Sequence, residues 1–150
     1  MHRIVRLSAA ALMLLSVTFA SGPSLAAKPA YFTVAVSNLH SVKGQLIVCL
    51  WRDKPGFPSC EKSKSALRRI VKVTAPRVDV MFPLPASGRY AITVVHDEDG
   101  NGKMKRNFIG MPAEGVGISN NPGGMPGFAK SLVDIASDTT VDIRMKYLFD

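Results

Sequence analysis

The stretch VDIRMKY, residues 141–147, sets Val141, Ile143, Met145 and Tyr147 in alternation with Asp142, Arg144 and Lys146. A period of two is the mark of a β-strand with one buried and one wet face. Working backwards, KSLVDIA (130–136) reads as another strand, joined to the first through the turn Ser137-Asp138. VDVMFPL (78–84) and RYAITVVH (89–96) flank Pro85-Ala86-Ser87-Gly88, where proline presets one dihedral and glycine accepts a positive one. YFTVAVSNL (31–39) and QLIVCLW (45–51) are rich in β-branched and aromatic residues and read as a first hairpin across Asn38 to Gly44. ALRRIVKV (66–73) opens with residues that tolerate a helical turn, but Ile70, Val71 and Val73 favour extension, and it reads as a strand. About seven short strands with frequent turns and no helical stripe predict an all-β chain, an antiparallel β-sandwich, with a closed barrel as the alternative.

The N-terminus follows another logic. Arg3 and Arg6 precede an apolar run from Leu7 to about Ala20, and Ser24-Leu25-Ala26 places small residues at the positions a signal peptidase reads. The run is shorter than the roughly 20 residues that span a bilayer. Residues 1–26 therefore read as a signal peptide, cut after Ala26 or else Ala27. The remaining 27–150 are expected to form one β-sandwich domain, periplasmic or secreted, with no transmembrane segment.

The formal charge of +8 falls to +6 once Arg3 and Arg6 are removed, and it is spread through Lys28, Lys43, residues 62–77 and Lys103 to Arg106. So diffuse a pattern on an exported protein argues against nucleic acid and for a solvated basic face or contact with an anionic envelope component. Cys49 and Cys60 are the only cysteines. In an oxidising compartment they are expected to form a disulfide, because Pro55-Gly56 and Pro58 turn the chain between them. Closing so short a loop stabilises by roughly 3 kcal/mol.

Residues 97–128 break the strand pattern with eight glycines and three prolines. Connections this long are uncommon unless functional or disordered. Phe108, Ile109, Met111, Val116, Ile118, Met125 and Phe128 are expected to anchor the segment to the sandwich as one long ordered loop. Its opening, HDEDGNGKMKRN (96–107), has the alternating oxygen donors of a calcium loop: Asp97, Asp99 and Asn101 as side-chain ligands, Gly102 for the reversal, and the Lys103 carbonyl next. Phe108 stands where a bidentate glutamate would complete the shell, so Glu114 or Glu98 would have to supply that carboxylate. Such a site would hold calcium only weakly, around 10⁻⁴ to 10⁻³ M. The plainer reading is that these Asp, Asn and Gly residues make Asx-turns and positive-φ positions at a strand exit, without an ion.

Other constellations are thinner. His96 with Met104, Met111 and Met125, the last two in repeated Gly-Met-Pro, assembles an imidazole and thioethers of the kind that select Cu(I), which makes a periplasmic copper carrier one alternative. Methionines filling gaps under a glycine-rich loop explain the same residues. An enzyme would need a pocket gathering His96, Asp97, Glu114 and Ser119, yet Ser119 lies in GVGISNN, which is no nucleophile elbow. Asn120 and Asn121 suit backbone capping better than substrate binding, although Ser119, Asn120 and Asn121 lie within the expected recognition loop.

NLHSVKGQLIVCLW together with LPASGRYAITVVHDEDGNGKMKRNFIGMPAEGVGISNN resembles the bacterial domain-of-unknown-function family 2141, small exported proteins. The specific elements are Tyr90-Ala91-Ile92, His96-Asp97, Asn101-Gly102-Lys103, Gly110, Pro112, Glu114 and Ser119-Asn120-Asn121. The resemblance implies a sandwich of immunoglobulin or transthyretin type and no established activity. It also marks a departure at Lys105, where the family carries an acidic residue, which weakens the calcium reading. The sequence thus points to a non-enzymatic exported module whose 97–128 loop recognises an anionic envelope component or another exported protein, with calcium as its one candidate cofactor.

Overall fold

The computed structural model describes residues 28–125 and 127–149. The signal-peptide reading of 1–26 lies outside them. Eight strands are present among the described residues: β1 Tyr31–Ser37, β2 Gln45–Trp51, β3 Leu67–Lys72, β4 Val78–Pro83, β5 Gly88–Asp97, β6 Gly115–Ile118, β7 Val133–Ile135 and β8 Thr140–Arg144. Short 3-10 turns occupy Cys60–Lys62 and Phe128–Ser131. Among the described residues, no helix is long and apolar enough to cross a membrane.

The strands form two layers, a three-stranded sheet in the order β4-β1-β8 and a five-stranded one in the order β3-β2-β5-β6. β7 follows β6 along the same edge of β5, pairing with Gly88 to Tyr90. The all-β sandwich expected from the alternating strands is therefore the fold. The terminal alternation holds as well, with Val141, Ile143 and Met145 buried and Arg144 and Lys146 exposed.

Three details differ from the sequence reading. β1 and β2 are no hairpin: β1 pairs with β4 and β8, and β2 with β3 and β5. The connection from Asn38 to Gly44, with both ends at positive φ, carries the chain from one layer to the other. The sandwich is also not wholly antiparallel, because β1 and β8 run parallel, Thr33 opposite Thr140 through Ser37 opposite Arg144. No tight turn joins these strands, so a parallel pairing is sterically open to them. Finally, the 97–128 segment contains a strand of its own, β6.

β6 owes its place to glycine. A Cβ on Gly117 would come within 2.6 Å of Ile143 and 2.7 Å of the Met145 sulfur, and one on Gly115 within 2.3 Å of the Tyr147 ring. The missing side chains let the β6 backbone close against β8. There Val116 and Lys146 exchange two backbone hydrogen bonds of 2.9 and 2.8 Å, which stitch one corner of the sandwich shut.

β2 and β5 are dry on both faces. Leu46, Val48, Leu50, Ile92 and Val94 point into the core between the sheets, with Phe32, Phe82, Ile143 and others opposite. Ile47, Cys49, Trp51, Ala91 and Val95 face outward into a second cluster, covered by Phe57, Cys60, Met104, Phe128 and Leu132. The Cys49–Cys60 disulfide ties that cover to the sheet as expected. Trp51, the only tryptophan, is fully buried there and donates its indole N–H to Thr93 Oγ1 at 2.9 Å.

Candidate functional site

The candidate site begins where β5 leaves the sheet. Asp97, its last residue, is fully buried and pairs with Gln45 of β2. Its Oδ2 accepts from Gln45 Nε2 and from the Gly102 amide, each at 2.7 Å, and its Oδ1 accepts from the Asn101 amide at 3.1 Å. Asp99 Oδ1 accepts from the same Asn101 N–H at 3.1 Å, and Asn101 Oδ1 from the Lys103 amide at 2.8 Å. Gly100 and Gly102 sit at positive φ, as the reversal requires. Arg68 Nη2 donates to the Gly102 carbonyl at 2.6 Å, setting a positive charge against the curl from β3.

The chain then makes a narrow excursion. Lys105 and Ala113 face each other, with the Ala113 amide on the Lys105 carbonyl, and Asn107 closes the tip by accepting from the amides of Ile109 and Met111. The excursion returns Glu114 to the start of β6, where its Oε2 accepts the Lys105 amide at 2.9 Å. Carboxylate oxygens of Asp97, Asp99 and Glu114 consequently lie within 4.8 Å of one another. The fold thus brings a glutamate from 17 positions after Asp97 in the chain to the side of the two aspartates.

The two buried acids respond oppositely. Burial pushes the Asp97 carboxyl upward, but hydrogen bonds from the Gln45 side chain and the Gly102 and Asn101 amides outweigh it and hold the group below its ordinary value. Burial likewise raises Glu114, the Lys105 amide only partly opposes this, and the negative charges of Asp97 and Asp99 raise it further.

The remaining sequence candidates are dispersed. The His96 side chain projects from the opposite face of β5, into the space between the sheets, as strand alternation requires. Its Nε2 lies 2.9 Å from the Lys43 carbonyl and its Nδ1 2.7 Å from the Tyr147 hydroxyl. A carbonyl only accepts, so Nε2 carries the proton, and both ring nitrogens are engaged. That geometry keeps His96 apart from Asp97 and Glu114, and apart from Met104, which packs in the outer cluster.

Ser119 is buried with its Oγ accepting the Ile92 amide and donating to the Ser131 carbonyl. Asn120 and Asn121 brace backbone: Asn120 donates to the Lys130 carbonyl, and Asn121 accepts the Arg144 amide while donating to the Asp142 carbonyl. The apolar residues expected to anchor the segment divide. Phe128 does pack against the outer cluster, whereas Phe108 is 99% exposed, Met125 88%, and Ile109 and Met111 are exposed as well. The polar network of Asn107, Asp97 and Glu114 orders this segment in place of apolar anchoring, which leaves those side chains outside.

One feature went unread in the sequence. Over the outer face of β5 and β6, beyond the disulfide-tied cover, lies an open groove of about 730 Å³. Thr93, Val95, Val116 and Ile118 form its floor, while Met104, Arg106 and Met111 line it from the excursion and Met125, Lys146 and Leu148 from later chain. The signal was GVGI, whose glycines alternate with two apolar residues.

A small β-sandwich with an acidic turn system at one strand exit and an apolar groove beside it is the class that these features define. Residues 34–144 match the family described as an uncharacterized protein conserved in bacteria, the domain of unknown function 2141, and the chain belongs to it. No curated protein and no solved structure matches the chain significantly.

Proposed function

We propose that the protein is an exported, non-enzymatic binding module whose 97–128 segment is the recognition surface, steadied by weakly held calcium. The observation that carries this reading is the inversion within that segment. Its acids, Asp97 and Glu114, are buried and order the backbone, while its large apolar side chains, Phe108, Ile109, Met111 and Met125, are presented to solvent. Exposed apolar clusters on an ordered scaffold are characteristic of interaction sites. The disulfide supports an oxidising compartment outside the cytoplasm.

In this reading Asp97, Asp99 and Glu114 supply carboxylate oxygens to the ion, and Asn101 and the Lys103 carbonyl supply neutral ones. Calcium offsets the mutual repulsion of three acids and fixes the root of the excursion. The partner is an anionic envelope component or another exported protein, consistent with the basic balance of the chain.

The test is a melting curve of the protein with and without millimolar calcium, repeated on Asp97→Asn with Asp99→Asn. An ion that binds only the folded state stabilises it by linkage, about 1.4 kcal/mol at tenfold its Kd. Calcium should raise the melting temperature of the wild type and leave that of the double variant unmoved. Magnesium, which demands a tighter octahedron, should substitute poorly. An unchanged wild-type curve removes calcium and leaves a turn system whose donors serve their own backbone.

A further inference from the structure

We infer that the groove over β5 and β6 is a binding site for a single-chain anionic amphiphile, a long-chain fatty acid, whose tail lies on the strand faces and whose carboxylate meets Arg106 and Lys146. This inference rests on the reading of the 97–128 segment as a recognition surface and names what that surface takes.

Three observations select this ligand. The first is size and character. The groove's volume of about 730 Å³ falls within the range of small-molecule sites, roughly 300 to 1,000 Å³, and its lining is mostly apolar. Met104, Met111 and Met125 contribute flexible thioethers, which adapt to a chain with many rotamers better than branched side chains do.

The second is charge. Among the described residues, the charged groups of the lining are Arg106 and Lys146, both positive, and no carboxylate lines the groove. Arg106 donates to the Gly110 carbonyl at 2.9 Å and to Ser59 Oγ at 3.4 Å, and Lys146 Nζ to the Pro122 carbonyl at 3.0 Å. These partners are neutral and use only part of each cation's donors, so both keep N–H groups for an anion. The acids of the segment are drawn instead into the turn system at the strand exit.

The third is the lack of polar partners on the floor. The backbone groups of β5 and β6 lie in the plane of the sheet and not toward the groove, in the ladders of β5 with β2, β6 and β7, in the Val116–Lys146 pair and in the turn bond from the Asn121 amide to the Ile118 carbonyl. The floor's one hydroxyl, on Thr93, is buried and accepts the Trp51 indole N–H, which leaves a single O–H donor for the whole floor. A peptide laid there would bury amides without partners, whereas an acyl chain brings none to satisfy.

The experiment is calorimetric titration of the protein with monomeric palmitate and with hexadecanol, which has the same chain length and no charge. Arg106→Gln with Lys146→Gln removes the cations from exposed positions, and Ile118→Trp fills the floor. Melting curves verify that each variant is folded. Palmitate should bind one to one and hexadecanol about tenfold more weakly, the effect of losing one charge-assisted contact. The double glutamine variant should lose about tenfold toward palmitate and nothing toward hexadecanol, and Ile118→Trp should lose both.

Equal affinity for the two ligands would overturn the anionic assignment while leaving an apolar recognition site in place. Binding of neither would remove the groove as a ligand site, with the calcium response still deciding the reading of the acidic turn. Palmitate binding that survives the double glutamine change, or binding confined to anionic phospholipid vesicles, would also overturn the assignment, the latter in favour of a membrane surface. Should Ile118→Trp not fold, the comparison of palmitate with hexadecanol on the wild type and the glutamine variant decides alone.

Discussion

The two faces of the five-stranded sheet are both dry over β2 and β5, yet they are sealed by different means. The inner face meets a second sheet, and Val48, Val94, Phe32 and Ile143 interdigitate there as alternating residues of regular strands. The outer face meets no sheet. It is roofed by the 52–66 loop, held by Cys49–Cys60, and by Met104, Phe128 and Leu132 from the segment after β5, and the roof stops short of β6. The difference teaches that regular packing and covalent tethering can dry the same pair of strands, but only the second leaves an edge where a groove can open.

The sharpest way to break this contrast is to remove buried volume from the inner face. Ile143 has no exposed surface, and Ile143→Ala should cost about 2 to 5 kcal/mol in a denaturant titration, while Arg144→Ala, one residue on and facing solvent, should stay within about 0.5. Equal effects would deny the inner face its role as the principal core.

Cutting the tether tests the outer face. Cys49→Ala with Cys60→Ala should cost roughly 3 kcal/mol. Trp51 is the only tryptophan and stacks edge-on against Phe57 of the roof, with ring centroids 5.4 Å apart. Its fluorescence should therefore shift at lower denaturant than the far-ultraviolet signal of the strands. Coincident transitions in this variant would mean that the two faces melt as one unit and that the disulfide adds stability without defining a separate layer.

At the groove's edge the roof is held by buried acids, and these have opposite pH signatures. Asp97→Asn keeps the shape but weakens several charge-assisted bonds, so it should cost about 1 to 3 kcal/mol at neutral pH. The folded pKa of Asp97 is lowered, so its stabilisation is present above its ordinary value of 3.8 and disappears as pH falls through the depressed folded value. Stability measured against pH should show the variant converging on the wild type in acid.

Glu114 should give the smallest effect and the opposite sign. Its folded pKa is raised above 4.5, so its contribution is most favourable below that value and is lost as pH rises through the elevated folded one. Glu114→Gln retains an oxygen for the Lys105 amide and removes a charge from beside Asp97 and Asp99. Without calcium it should be more stable than the wild type at neutral pH, by less than about 1 kcal/mol. The advantage should vanish in acid, and calcium should not stabilise the variant. A Glu114→Gln protein less stable than the wild type at neutral pH would show that the carboxylates do not repel.

How much of this was legible in the chain follows the same division. The inner face could be read because burial there has a period of two, visible in Val141 to Met145 and in Val78 to Phe82. Pairing partners could not, since β1 and β2 are neighbours in sequence with a plausible turn between them, and only the layer change at Asn38 to Gly44 separates them. β6 was hidden because its glycines carry no hydropathy and are depleted in strands, although their lack of side chains is what seats it. Asp97, Asp99 and Asn101 stood out by local spacing, but the placement of Glu114 depends on the Lys105 to Ala113 excursion. The exposure of Phe108 and Met125 ran against hydropathy, which favours burial and cannot register a segment ordered by carboxylates and amides.

The parallel pairing of β1 with β8 has a mechanical consequence. A load applied between the chain before Tyr31 and the chain after Arg144 pulls these two strands along their length in opposite directions. Every bond in the register from Thr33–Thr140 to Ser37–Arg144 then resists together in shear, where an antiparallel terminal pair would peel open one bond at a time. A tug on the two ends of this sandwich therefore reaches the Val116–Lys146 pair beside the groove and then loads the β1–β8 seam as a whole.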